Sequence, residues 1–308
     1  MIEKEVSIPS HDVTLAGTLC LPRQEGEFPT VLWLQGSGPI DRNDNMPGQA
    51  LNNSKFIAHH LADHGIASLR YDKRGVGSST GEFLSAGHSD LVKDGFNCLK
   101  FLSQASQCDS KRLFVIGHSE GAIIAPQISQ KFPDIAGIIL LCPFIEDFES
   151  ALMRQAQSMK KMVNAQSWFK RPLVKLFSKV FDPVKNNRKA LLKTKASNRK
   201  VGRLGLSKQP FYWFKQLLEL NLVDVYKNTT CPVLAIAGEK DFQCLPSDID
   251  RIGKVVGGEY EHHTVENMSH LLRNEPGEFS VFNYAEQLKH SIEPKVLTLV
   301  CRWLKQRC

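Results

Sequence analysis

The chain of 308 residues is long enough to bury a full hydrophobic core, and this length suits one α/β domain with an insertion. Its 42% hydrophobic and 23% charged residues are ordinary for a globular protein, and the formal net charge is +7. The longest strongly apolar stretch, residues 135–145, is far too short to cross a bilayer, so the sequence predicts no membrane span.

The N-terminus and the cysteines indicate the compartment. Residues 1–5 carry charges of both signs and lead into a predicted strand, so they do not resemble a secretory signal. The eight cysteines are scattered without a C-x-x-C pair, which predicts free thiols and argues against a metal site built from them. We therefore expect a cytoplasmic protein.

Hydrophobic patterns predict strands and helices that alternate along most of the chain. A hairpin comes first, and buried strands follow; the predicted strands are residues 6–8, 13–21, 30–34, 66–71, 112–116, 137–142, 233–237 and 259–265. The predicted helices are residues 54–64, with Ser54 as the cap, 89–103, one starting near residue 122, one after Pro246, and 294–305. Such alternation predicts a mostly parallel sheet with helices on both faces.

A basic segment, residues 146–225, interrupts this alternation. Residues 151–215 contain 17 Lys and Arg but a single acid, Asp182, for a net charge of +16. Apolar side chains alternate there with cations; these residues are Trp168, Phe169, Lys170, Arg171, Leu173, Lys175, Leu176, Phe177, Lys179, Val180 and Phe181. An insertion between parallel strands lies over their carboxyl ends, where open α/β sheets bind ligands. The sequence therefore predicts a helical lid at residues 146–225 on a core of residues 1–145 and 226–308.

The five residues Gly117-His118-Ser119-Glu120-Gly121 form the pattern G-x-S-x-G between a predicted strand and a predicted helix. A strand, a sharp turn and a helix force the turn residue into a strained backbone conformation with an exposed side chain. Both glycines are needed because the chain passes close to its own strand and helix. This geometry is that of a nucleophile elbow and predicts Ser119 as a nucleophile.

A serine hydroxyl needs a base to take its proton, and the base needs an acid to orient it. In this architecture the acid follows the serine in the chain and the histidine comes last. Asp241 lies just beyond the carboxyl end of the strand at residues 233–237, where the acid is required. Glu239 is the alternative, because it is closer to the strand.

Four histidines follow Asp241 in the chain. His262 and His263 fall inside a predicted strand, where one would be core and the other would face a helix, and His290 lies in a polar stretch. His270 lies in the loop after the last strand, from which an imidazole can reach back over the serine. The sequence therefore predicts His270 as the base.

An oxyanion hole needs two fixed N–H groups aimed at the developing negative charge. The expected donors are the N–H of Glu120, the residue after the nucleophile, and the N–H of Ser37 in the glycine-rich loop after the third strand. A second glycine-rich stretch, residues 70–79, lacks the phosphate-binding patterns. It is interpreted as a turn whose ionic network supports the site.

Together these residues resemble the α/β-hydrolase superfamily, and more narrowly its lid-bearing bacterial carboxylesterases, which are related to serine aminopeptidase-like and dienelactone hydrolase-like proteins. The matching stretches are residues 36–44, 70–81, 117–121, 231–241 and 267–270. The resemblance implies the α/β-hydrolase fold with an eight-stranded, mostly parallel sheet, Ser119, Asp241 and His270 as a triad, and carboxylic ester hydrolysis. It also implies that Trp213 and Phe214 end the lid. Cys244 departs from the family, in which an aliphatic residue is common.

The sequence therefore predicts a serine hydrolase that cleaves small-molecule esters through an acyl-enzyme, with no cofactor, metal or nucleic-acid partner. A thioesterase acting on acyl-CoA or acyl-protein is the nearest alternative, because the basic lid suits phosphate groups; the lid could also bind an anionic membrane surface. An aminopeptidase is less favoured, because the lid offers almost no acid to a substrate ammonium. A noncatalytic lipid- or membrane-binding protein is the alternative from another class, and such a protein would be expected to lack a triad member.

Overall fold

The computed structural model describes residues 1–165, 182–278 and 280–308. These residues form twelve strands: β1 (Ile2–Ser10), β2 (Val13–Leu21), β3 (Phe28–Leu34), β4 (Asn45–Met46), β5 (Gln49–Ala50), β6 (Ala67–Tyr71), β7 (Cys108–His118), β8 (Gly137–Leu141), β9 (Gly202–Leu204), β10 (Ser207–Gln209), β11 (Val233–Gly238) and β12 (Tyr260–Val265). Eight of them form one sheet in the order β1-β2-β6-β3-β7-β8-β11-β12.

The sheet is mostly parallel. Strand β2 is antiparallel to both β1 and β6, whereas all the later neighbours are parallel. Every residue of β3, β6, β8 and β11 is buried, because helices cover both faces of the sheet. The predicted eight-stranded, mostly parallel sheet of the α/β-hydrolase fold is confirmed.

Ten α-helices occur in the described residues: α1 (Asn53–Asp63), α2 (His88–Gln104), α3 (Gly121–Ser129), α4 (Phe148–Ala165), α5 (Pro183–Lys195), α6 (Phe211–Glu219), α7 (Leu222–Lys227), α8 (Asp248–Gly253), α9 (Tyr284–Gln287) and α10 (Pro294–Lys305). Helices α2 and α3 bury apolar side chains on one face of the sheet, and α1 and α10 do so on the other. None of the helices in the described part of the chain has the length and apolar character that a membrane crossing requires.

One predicted helix start is wrong. Helix α1 begins at Asn53, and its N-cap is Asn52, which has a left-handed backbone with φ of 53°. Ser54 lies inside the first turn, and its hydroxyl donates to the carbonyl oxygen of Arg42 at 2.7 Å. The serine therefore tethers the loop before the helix, which the capping pattern alone does not reveal.

The basic segment is partly helical, as predicted, but it also contains the hairpin β9–β10. Gly202 of this hairpin packs on the ring of Phe211, and a Cβ at position 202 would lie only 2.0 Å from that ring. Helix α5 begins with Pro183 and is capped by Asp182, whose side chain accepts from the N–H of Val184 at 3.0 Å. The alternating apolar and cationic residues predicted between Trp168 and Phe181 lie outside the described residues.

Candidate active site

Ser119 lies at the tip of a sharp turn between β7 and α3. Its backbone is left-handed, with φ of 54°, and its N–H donates to the carbonyl of Leu141 at 2.9 Å. A Cβ at Gly117 would lie 2.1 Å from the carbonyl oxygen of Gly121, and a Cβ at Gly121 would lie 2.2 Å from that of Leu34. Both glycines are thus required by close approach of the backbone, as the G-x-S-x-G pattern predicts.

The structure brings Ser119, His270 and Asp241 together in one chain of contacts. His270 Nε2 lies 3.1 Å from Ser119 Oγ, and His270 Nδ1 lies 2.7 Å from Asp241 Oδ2. Asp241 Oδ1 accepts from the N–H groups of Gln243 at 2.8 Å and Cys244 at 3.0 Å, which fixes the carboxylate. With Nδ1–H donated to the acid, Nε2 is free to accept the serine proton.

The carboxyl ends of β11 and β12 position this pair. Asp241 follows β11, and His270 follows β12 through a tight loop in which Asn267 has φ of 55°. Glu239, the alternative acid, instead accepts from the N–H of Asn267 at 2.9 Å. It therefore holds the loop that carries His270 and does not itself contact the imidazole.

The other late histidines lie away from Ser119. His262 pairs with Asp250 at 3.1 Å, and His263 pairs with Glu261 at 2.7 Å. The prediction that one of these two would be core is wrong, because β12 is the edge strand and both rings keep about a third or more of their surface exposed. His290 is exposed, as the polar stretch around it predicts.

The two predicted oxyanion donors flank Ser119. The loop carrying Ser37 passes so close that a Cβ on Gly36 would lie 3.3 Å from the Cβ of Ser119. Glu120 forms the N-cap of α3, where the helix dipole favours negative charge. Among the described residues, neither the N–H of Ser37 nor that of Glu120 has a hydrogen-bond acceptor. Both are therefore available to a developing oxyanion.

Two cavities meet at Ser119. The first, of about 180 Å³, is lined mainly by apolar side chains of the inserted segment and its surroundings, among them Phe144, Phe148, Leu152, Trp213, Phe214 and Leu217. The second, of about 220 Å³, is lined by Gly36, Ile40, Met46, Leu51, His270, Leu271 and Tyr284 among others. Ser37, Ser119 and Gln243 line both. A substrate with a reactive carbon at Ser119 can thus place one group in each cavity.

The inserted segment is anchored to the loop that carries the acid. Arg154 of α4 donates to the carbonyl oxygens of Phe242 at 2.8 Å and Gln243 at 2.9 Å, and it pairs with Glu146 at 2.8 Å. No local pattern predicts this role for Arg154, because it is one of many cations in a basic segment.

An ionic network fills the space behind the site, as the interpretation of residues 70–79 expects. Arg42 pairs with Asp72 at 2.9 Å, and Arg74 pairs with Asp94 at 2.7 Å. His118 is also buried; burial and the neighbouring His270 lower its pKa to about 3, so its ring is neutral near pH 7. The Nε2–H of His118 donates to the carbonyl of His270 at 3.0 Å, which helps to fix the backbone of the predicted base.

Two groups of potential metal ligands overlap the site. They are His118, Cys142 and His270, and Asp241, Cys244 and His270. Burial raises the pKa of the Cys142 and Cys244 thiols well above the usual value, which opposes formation of the thiolates that metals bind. A metal would also compete with the contacts of His270 to Ser119 and Asp241. This donor set does not suit a resident metal.

Comparisons with known proteins find a matching family model and a curated relative. A family model described as serine aminopeptidase, S33, matches residues 50–277, which is more than half of the chain and includes Ser119, Asp241 and His270. The curated protein Esterase EstD of Thermotoga maritima is 23% identical over 304 residues, covering 98% of this chain and 67% of that protein.

Solved structures of low sequence identity share the fold. Est1E from Butyrivibrio proteoclasticus, solved with bound ferulic acid, has a TM-score of 0.64 at 15% identity, with 98% of each chain covered. The proline iminopeptidase of Mycobacterium smegmatis has a TM-score of 0.61 at 15% identity, with 99% of this chain and 98% of that chain covered.

Proposed function

Because the chain belongs to the serine aminopeptidase, S33, family of hydrolases, we propose that it is a serine hydrolase that cleaves small carboxylic esters through an acyl-enzyme. The observation that carries the proposal is the chain of contacts from Asp241 through His270 to Ser119, at 2.7 Å and 3.1 Å. Similarity to Esterase EstD supports an ester as substrate.

In the proposed mechanism, His270 Nε2 takes the proton of Ser119 Oγ while the oxygen attacks the ester carbonyl carbon. The carbonyl oxygen becomes an oxyanion held by the N–H groups of Ser37 and Glu120. The imidazolium, stabilised by Asp241, gives its proton to the leaving alcohol as the carbon–oxygen bond breaks. Water activated by His270 then attacks the acyl-enzyme, and the acid product and Ser119 are released.

The cavities favour small, neutral and largely apolar substrate groups. Their volumes of about 180 and 220 Å³ lie below the roughly 300–1,000 Å³ common for drug-sized ligands. An aminopeptidase needs a carboxylate for the substrate ammonium. Two acidic side chains line the cavities, and both are buried: Glu120 is paired with Lys73, and burial raises the pKa of Asp44 to about 7, which disfavours its charged form. This arrangement favours an ester over a peptide.

Residues 146–225 are proposed to form a lid. Phe148, Leu152, Trp213 and Phe214 of this segment line the cavity beside Ser119, which supports a role in covering a bound acyl or alcohol group. We place the protein in the cytoplasm, because all eight cysteines are free and six of them are buried.

A phosphate-bearing thioester such as acyl-CoA is a second candidate substrate, favoured by a groove of about 670 Å³. The lining residues of this groove include four cations and a single acid; the cations are Lys193, Arg199, Arg203 and Lys208, and the acid is Glu82. None of these four cations pairs with an acid among the described residues. The groove lies against Phe211 at the start of α6, whereas Trp213 and Phe214 of the same helix line the cavity beside Ser119.

The proposed function is tested with p-nitrophenyl esters of graded acyl length, together with an amino-acid p-nitroanilide and acyl-CoA. We expect fastest turnover of short acyl esters, and Ser119→Ala should fold normally yet lose about 10⁴-fold in turnover. A variant that keeps more than a tenth of wild-type turnover would contradict the assignment of Ser119. Preference for the anilide or for acyl-CoA would assign the site to peptides or thioesters.

A further inference from the structure

A buried ion pair lies behind the candidate oxyanion hole and has no part in the mechanism above. Lys73 Nζ lies 3.2 Å from Glu120 Oε2, and both residues are 2% exposed. Burial alone would raise the pKa of Glu120, but Lys73, His88 and Trp213 lower it to about 2, so the carboxylate is charged. Burying two charges is unfavourable unless their partners are well placed. The contacts that each of the two charged groups makes therefore indicate what the pair does.

The ammonium of Lys73 also holds the loop that carries Ser37. Lys73 Nζ donates to the carbonyl oxygen of Gly36 at 2.5 Å. The Gly36 carbonyl and the Ser37 N–H belong to one planar trans peptide unit, so they point in opposite directions. Fixing the carbonyl on the ammonium fixes the direction of the Ser37 N–H on the opposite side of the peptide. Gly36 of this peptide also packs against Ser119, because a Cβ at position 36 would lie 3.3 Å from the Cβ of Ser119.

The second candidate donor belongs to the residue that pairs with Lys73. The Glu120 side chain accepts from Lys73 at 3.2 Å, and it also contacts His88 Nδ1 at 3.3 Å and Trp213 Nε1. Its backbone is thereby held at the start of α3. One ion pair therefore ties together the two peptide N–H groups that flank Ser119.

We propose that Lys73 is a positioning residue that orients the oxyanion hole through the Gly36–Ser37 peptide, with Glu120 as its counter-ion. The inference rests on the proposed acyl-transfer function. Lys73 does not touch the substrate. It fixes the direction of a donor that acts on the oxyanion in the transition state, so its loss should lower kcat and leave KM nearly unchanged.

The test compares Lys73→Met with the double variant Lys73→Met/Glu120→Gln. The single variant leaves a buried, unpaired carboxylate and should be strongly destabilised, whereas the double variant removes both charges and should recover much of the urea midpoint. Both should lose about 30-fold or more in kcat on a short p-nitrophenyl ester, with KM within about threefold of wild type. Because kcat and KM are measured for both variants, the proposal can be tested even if only one of them folds.

A control for removal of an ion pair is Arg302 of α10 and Glu261 of the edge strand β12, joined at 2.6 Å away from the candidate site. Arg302→Met/Glu261→Gln should alter stability but keep kcat within about threefold. A boronic acid that forms a tetrahedral adduct on serine supplies a second readout. Its inhibition constant should rise about 30-fold in the Lys73 variants and stay constant in the control.

Three results would overturn the proposal: unchanged kcat in a folded Lys73 variant, a rise in KM alone, or an unchanged boronate inhibition constant. Failure of the proposed function is a separate result, because it is read from retained activity of Ser119→Ala. Wild-type levels of turnover by Ser119→Ala would show that the hydrolase mechanism is wrong, whatever the Lys73 variants do.

Discussion

Replacing Asp44 by asparagine should remove a large pH dependence of folding stability between about pH 4 and pH 7. Asp44 is 2% exposed; its Oδ1 accepts from Trp33 Nε1 at 3.0 Å, and its Oδ2 has no hydrogen-bond partner among the described residues. Burial raises the pKa of Asp44 from 3.8 to about 7, although the Trp33 hydrogen bond and the charge of Lys73 act in the opposite direction.

The raised pKa sets the sign and the size of the effect. Between about pH 4 and pH 7 the folded chain holds a proton on Asp44 that the unfolded chain has released. The corresponding stability is fully present below about pH 4 and is lost as the pH rises through about 7. A difference of about 3 pKa units corresponds to about 4 kcal/mol.

Urea unfolding of wild type and Asp44→Asn at pH values from 4 to 8 measures this difference. The free energy of unfolding of wild type, relative to the variant, should fall by a few kcal/mol over that range. The control is Asp63→Asn, at the exposed end of α1. The free energy of unfolding of this variant should depend on pH as that of wild type does. If the difference in free energy of unfolding between wild type and Asp44→Asn does not change with pH, the reasoning that burial keeps Asp44 protonated is refuted.

Two further predictions concern the acid and the basic groove. Asp241→Asn should lower kcat by about 10⁴-fold because His270 loses its orienting partner, whereas Glu239→Gln should lower it far less; equal or reversed losses would move the role to Glu239. If the groove binds phosphate, the KM for acyl-CoA should rise between 0.05 and about 0.5 M salt, and Arg199→Gln/Arg203→Gln should raise it in low salt while neutral esters are unaffected. Anionic vesicles test the membrane alternative in the same salt series, and salt-independent behaviour in both assays would leave the basic lid as a solvated face.

Most of the fold is predictable from local patterns. Largely apolar runs identify β3, β8 and β11, because strands covered on both faces bury every side chain. Patterns are less informative where a residue acts on a distant element. Ser54 resembles a helix cap but donates to the carbonyl of Arg42. The pattern of β12 predicts a core position for one of its two histidines, although this strand is the sheet edge.

The candidate site, like the fold, is predictable from local patterns only in part. The G-x-S-x-G motif and the chain order of acid and base point to Ser119, Asp241 and His270, because the fold brings the ends of β7, β11 and β12 to one edge. The choice between Asp241 and Glu239 depends on side-chain direction, which spacing does not specify. The contacts of Lys73 with Gly36 and Glu120 span 37 and 47 positions in the chain, so no local pattern predicts them.

Labelling with a fluorophosphonate probe tests most directly the claim that Ser119 is an activated nucleophile. Wild-type protein should incorporate one probe per chain, mass spectrometry of the peptides should locate it on Ser119, and loss of ester turnover should parallel the labelling. Ser119→Ala should remain unlabelled, and His270→Ala should label much more slowly because no base takes the serine proton. Labelling at another residue, or equal labelling rates in wild type and His270→Ala, would contradict the account.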